Sequence, residues 1–203
     1  MTNVKYRLLS SVALGVLLLA GNPAEARVGV ASAVDGAPIG LPPGGTERTL
    51  KVGIDVGANE KISTGSSDRT HLLFQDGTSL TISPGSVVVI DKYVFDPDRM
   101  NGEMSVSITK GAMRFVGGKI SKTSEVTVTT PSAALGIRGG IALVGVSPAG
   151  STSASFLFGV SLSVTSQGVT RTISEPGNQV DVNRGQPPSL PAPISQSALA
   201  NNL

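Results

Sequence analysis

The sequence predicts an all-β fold, and three observations carry that prediction. Apolar and polar residues alternate over short runs, as in Thr49–Val56, where Leu50, Val52, Ile54 and Val56 share one face. Turn pairs interrupt the runs at brief intervals: Asp76-Gly77, Pro84-Gly85, Asn101-Gly102, Gln167-Gly168 and Pro176-Gly177. The composition agrees, with 25 Gly, 5 Phe, 2 Tyr and no Trp in 203 residues. Such a chain builds narrow, stacked sheets around a thin core of Val, Ile and Leu rather than long helices. Its length allows one domain with tails.

Met1–Ala26 reads as a secretory signal peptide, a helix to be removed. Lys5 and Arg7 form the basic region, Leu8–Ala20 the apolar run, and Ala24-Glu25-Ala26 the cleavage site. No later apolar run is long enough to span a membrane. The mature chain is expected to start near Arg27 and to be periplasmic or secreted. The all-β domain is assigned to residues 27–185, and the Pro-, Ser- and Ala-rich residues 186–203 to a disordered tail. With no cysteine, the chain has no disulfide, thiolate nucleophile or Cys-type zinc site.

Within the domain, Val28–Gly45 opens as a short strand and ends in a Pro/Gly loop, and Thr49–Val56 follows as the second strand. The organising stretch is Leu72–Pro97. Leu72 and Phe74 share a face, Asp76-Gly77 reads as a type I′ hairpin turn, and Thr78, Leu80 and Ile82 alternate. Pro84-Gly85 makes the next turn before the buried run Val87–Ile90. An Asn101-Gly102 turn leads into a strand with Met104, Val106 and Ile108 on one side, ending at Lys110-Gly111. Ala112–Val116, Val126–Thr129 and Ile141–Val146 are further short strands. Phe156, Phe158, Val160, Leu162 and Val164 form the cleanest period-two face, followed by strands at Val169–Ile173 and Val180–Val182. Pattern alone fits a barrel, a sandwich or a β-solenoid.

Three segments in this order, DGTSLTISPGSVVVIDKYVFDP from Asp76, GAMRFVGGKISK at Gly111–Lys122 and TTPSAALGIRGG at Thr129–Gly140, resemble the FecR domain family. The best match covers Val52–Val146. The resemblance implies an irregular, β-solenoid-like stack of short strands in the periplasm of a Gram-negative bacterium. It also implies a protein partner in the cell envelope, such as an inner-membrane sensor or a TonB-dependent receptor. The family motif T-P-x-A-x-x-x-x-R-G-T is matched at Thr130, Pro131, Ala133, Arg138 and Gly139, while Gly140 stands in place of the final Thr. Asp76, Gly77, Thr130, Pro131, Arg138 and Gly139 are therefore the candidate motif residues, for structure or for partner contact. Arg138 reads first as a structural plug whose guanidinium bonds loop carbonyls, and second as an exposed contact.

No catalytic, cofactor or metal residue is assigned. His71 is the single histidine and has no second His or Cys to share a metal. Asp96–Glu103 places its glycine wrongly for a calcium loop and reads as a charged turn. No G-x-S-x-G elbow occurs, and the Gly-Gly pairs precede neither a Lys-Ser/Thr nor an expected helix. The formal charge is only +2, and Lys51, Lys61, Arg69, Lys92 and Arg114 are scattered, which argues against nucleic acid. The expected function is non-enzymatic: an exported protein-binding module in envelope or iron-responsive signalling. A structural or adhesive β-solenoid module of the envelope is the alternative. Complete iron-signalling regulators of the family add a cytoplasmic anti-sigma bundle and a membrane span. This chain is expected to have neither and so not to carry a signal across the inner membrane alone.

Overall fold

The computed structural model describes residues 27–195, so the predicted signal peptide lies outside the described residues, as do residues 196–203. The described residues are all-β apart from one helical turn, as expected. Its strands run in order β1 (Arg27–Asp35), β2 (Ile39–Leu41), β3 (Arg48–Thr49), β4 (Asp55–Gly57), β5 (Lys61–Ser63), β6 (Arg69–Phe74), β7 (Ser79–Ile82) and β8 (Val87–Asp96). Then come β9 (Asn101–Val116), α1 (Lys119–Thr123), β10 (Val126–Thr129), β11 (Ala134–Val146), β12 (Thr152–Ser166), β13 (Val169–Ile173), β14 (Asn178–Val182) and β15 (Ala192–Pro193).

Hydrogen bonding joins the strands into one continuous sheet, which folds over on itself. Three long strands make the fold-over because their two halves take different neighbours. The first half of β9 lies between β8 and β10, and its second half between β7 and β11. Likewise β11 passes from β10 to β9, and β12 carries β14 on its first half and β13 on its second. One layer thus runs β4-β1-β6-β7-β9-β11-β12-β14-β15, and the other runs from β3 through β2, β5, β8, β9, β10, β11 and β12 to β13. The layers face each other: Phe74 of β6 stacks on Tyr93 of β8 with ring centroids 5.4 Å apart. Only β9–β10 is parallel among these ladders; the rest are antiparallel. The all-β expectation is met by one many-stranded, mainly antiparallel sheet; hairpins and corners connect its strands, and the described residues form no repeated coil of the expected solenoid-like kind.

Alternation places Leu72, Phe74, Leu80, Ile82, Val88 and Ile90 inside, with Val106, Ile108, Met113, Phe115, Phe156, Leu162 and Val164, in one apolar core. The phase slips where the long strands bend. In β9 the inward set changes from Met104, Val106 and Ile108 to Met113 and Phe115 across Gly111, whose φ is +83°. Lys110-Gly111, read as a strand end, and Gly139-Gly140, whose glycines read as turn residues, are corners inside single strands.

Two turns differ from expectation. Asn101 and Gly102 are ladder residues opposite Asp96 and Phe95, and the turn is 97–100, with Met100 at φ +53°. Asp96 holds that turn by accepting the amides of Asp98 and Arg99. Gly118, read as a plain turn residue, is the cap of α1. The start of the Pro-rich tail is among the described residues: Pro188 is buried, the Ser189 amide bonds the Asp181 carbonyl, and β15 pairs with β14.

Candidate functional site

The candidate residues fall into three places. Asp76 lies in the β6–β7 loop and is 1% exposed. The loop closes by the Gly77 amide on the Phe74 carbonyl at 3.0 Å, and only Gly77 has a positive φ, +85°. A type I′ turn needs two positive φ values, so the expected turn is replaced by a longer loop with glycine at its left-handed position. The reason is the Asp76 carboxylate, which is drawn inward. It accepts the Thr78 amide (3.0 Å), the Thr78 hydroxyl (2.7 Å), the Tyr93 hydroxyl (3.2 Å) and the Ile120 amide (3.1 Å). The last bond satisfies a free donor at the start of α1. Burial first, and the Asp76 charge second, hold the Tyr93 hydroxyl far above the ordinary phenol range. This cluster binds the hairpin, β8 and α1 together and presents nothing to solvent.

Thr130 and Pro131 form the β10–β11 turn. The Thr130 hydroxyl donates to the Ala133 carbonyl and accepts the Ala133 amide, each at 2.9 Å. It also accepts the Thr152 hydroxyl at 2.7 Å; Ser132 Oγ lies 2.7 Å from Thr152 Oγ1 and donates to the Val182 carbonyl. These hydroxyls pin three segments, the 130–133 turn, β12 and β14, leaving Pro131 exposed at the tip.

Arg138 and Gly139 stand at the corner where β11 crosses between layers. Gly139 and Gly140 have φ of +49° and +149°, and Gly159, paired with Gly140 on β12, has +130°. A Cβ on Gly140 would meet the Phe158 carbonyl oxygen at 1.8 Å, and one on Gly159 the Gly139 oxygen at 1.6 Å. Two backbones therefore touch here, which only paired glycines permit. The corner turns Phe158 and Val160 outward, to 66% and 61% exposure, while Phe156 and Leu162 stay buried. The single five-residue face expected over Phe156–Val164 is thus split by the bend. Arg138, opposite Ser161 in the ladder, is exposed and its side chain makes no hydrogen bond or ion pair, so it is not the plug first expected.

The single histidine sits in a structural contact. His71 Nδ1 lies 2.6 Å from Ser32 Oγ, at the bulge in β1. Among the described residues no three His, Asp or Glu side chains gather as a metal site. Sequence reasoning missed Glu60, whose side chain is 1% exposed and pairs with Arg48 at 2.9 Å while accepting the Gly57 amide. It also missed Phe158 and Val160. The signal was Gly159 between them, opposite Gly139-Gly140.

Residues 60–160 match the FecR protein family. None of the curated proteins matches the chain. Two crystal structures of a candidate anti-sigma factor from Parabacteroides distasonis ATCC 8503 share the fold. One aligns with a TM-score of 0.55 at 18% identity, and the other with 0.54 at 16%. Each alignment covers 69% of this chain and 62% of the other, so the chain spans less than two thirds of their length. At that identity the likeness concerns the fold. The matched residues 60–160 contain the Asp76 cluster, the Thr130–Pro131 turn and the Arg138 corner, and in these residues the chain carries a FecR domain.

Proposed function

We propose that the chain is a non-enzymatic, envelope-located binding module that acts in signalling by docking a partner protein at the β11–β12 corner. The observation that carries the reading is the outward placement of Phe158 and Val160 at the glycine-fixed corner, where Arg138, paired across the ladder with Ser161, is also exposed and without a side-chain partner. Large apolar side chains on a glycine-fixed corner lose little entropy on binding, and a flanking arginine adds charge and specificity. The helix α1, bearing exposed Lys119 and Lys122, packs against β11, which adds positive charge on that side. The fitting partner segment presents an apolar side chain flanked by Asp or Glu. The FecR domain and the fold likeness to a candidate anti-sigma factor support a regulatory role, and the sequence of residues 1–26 supports export.

Photoreactive residues placed at Phe158, and at His71 as a distant control, test this in living cells. The expected result is an adduct from position 158 to one envelope protein, with the crosslinked peptide acidic around an apolar residue, and its loss in R138E. Identical adducts from both positions, or self-adducts alone, would overturn the reading and favour the structural module.

A further inference from the structure

A second concave site lies away from the corner, between three turns and the bend of β9, and we infer that it binds a small organic dianion. The cleft has a volume of about 340 Å³ and is lined by Thr109, Lys110, Pro131, Ser147, Gly150 and Arg184 among others. That volume is in the range of small-ligand sites. Lys110 and Arg184 reach it from different segments. Neither makes an ion pair or side-chain hydrogen bond, and no acidic side chain lines the cleft. Two cations brought to one concavity without counter-ions repel each other, and a ligand carrying two negative charges relieves that repulsion.

The walls are built rather than incidental. The 147–150 turn is closed by the Gly150 amide on the Ser147 carbonyl at 2.9 Å and by the Ser151 amide on Ser147 Oγ at 3.2 Å. Ser151 Oγ donates to Asn183 Oδ1 at 3.3 Å, tying this turn to the one that carries Arg184. The Thr130 hydroxyl chain fixes the Pro131 wall. Gly150 leaves open the place where a Cβ would stand 3.7 Å from the Arg184 guanidinium. Pro131 and Pro148 supply apolar walls for a carbon skeleton, while Lys110 and Arg184 take its charged ends. Phosphate esters and dicarboxylates share this chemistry. The site is independent of the corner that docks a partner.

The test is titration of the isotope-labelled protein with glycerol 3-phosphate in one arm and glutarate in the other, at low salt, followed by amide NMR. Glycerol is the uncharged control. The expected result is saturable movement of the Lys110, Ser147, Gly150 and Arg184 amides with at least one dianion, which also identifies the class. K110A/R184A is expected to weaken binding about tenfold or more, since charge-assisted bonds to both ends are lost. R184K is expected to retain most of it, with the spectrum elsewhere unchanged. No saturation with either dianion up to about 20 mM, where a millimolar site would be nearly filled, would overturn the inference. Equal movement with glycerol would overturn it too.

Discussion

Tyr93 makes the buried Asp76 cluster readable by pH. Its hydroxyl accepts the Asp76 amide at 2.8 Å and donates to the carboxylate, so ionisation would put two negative charges in contact inside the core. The folded hydroxyl therefore keeps its proton well above the ordinary value of 10.0. The sign follows. Below that value both folded and unfolded chains hold the proton and the full stability is present. Above it only the folded chain does, so stability falls as pH rises, by up to ~1.4 kcal/mol per pH unit. Of the chain's 2 tyrosines, Tyr6 lies in the predicted signal peptide, so the chain from Arg27 carries Tyr93 alone. Phenolate absorbance in that chain should rise together with loss of β-sheet circular dichroism rather than before it. Y93F should lose about 1 kcal/mol at neutral pH in urea unfolding, the worth of a hydrogen bond, yet show a flatter alkaline limb. Phenolate appearing in a fully folded protein would refute the account. Asp76 was legible in the sequence as a turn residue, but its role was not. Its partner Ile120 is 44 positions away, and no local pattern reports such a bond.

At the scale of the element, short-range rules located the longer strands but missed β2, β5 and β15. They read Thr49–Val56 as one strand, where a turn at Gly53 separates β3 from β4 and leaves Val52 exposed. Nor could they tell a strand end from a corner. A glycine with positive φ terminates a strand when the chain turns away, and bends it when the ladder resumes beyond. Gly111 and Gly139-Gly140 do the second: β9 is paired with β8 before Gly111 and with β11 after it, and β11 stays paired with β12 across its glycines. The period-two reading of Phe156–Val164 failed for the same reason. Alternation predicts a face only while the strand stays straight. The corner also gives physical meaning to Gly140, which stands where the family commonly has Thr. In this chain its φ of +149° and the nearby Phe158 carbonyl leave no room for a β-branched side chain. G140T, which restores the family residue, should therefore destabilise by about 3 kcal/mol or more. G77A should cost only about 1 kcal/mol, because a Cβ at Gly77 meets open space and the cost is its φ alone. Denaturant midpoints of the two variants check this. Equal losses would mean that the two backbones do not meet at the corner as described.

For the whole molecule, the fold-over removes most free edges, since the halves of β9, β11 and β12 each pair on both sides. What stays exposed is the outer end of each layer, and these ends are treated differently. On one layer β14 is covered by the chain that returns along it, through the Ser189 amide on Asp181, the two-residue β15 and the Ile194 amide on Gly177. Pro193 is part of β15, and a proline there withholds the donor that a further strand would need. Composition alone assigned this segment to a disordered tail, because Pro-rich sequence carries no alternation, whereas its placement depends on an edge built by distant residues. Removing residues 186–203 should therefore uncover a five-residue strand whose Val180 and Val182 are core residues. Edge-to-edge pairing is the expected consequence, because unpaired donors and acceptors on a regular strand are a template for a second copy. Analytical ultracentrifugation should show the chain 27–185 associating in a concentration-dependent way, while the chain 27–203 sediments as a smaller species at the same concentrations. Replacing Asp181, whose amide and carbonyl face the uncovered edge, with Pro in the shortened chain should suppress the association if the edge is responsible. Association that persists with that proline would place the new contact elsewhere and deny the returning segment its role as a cover.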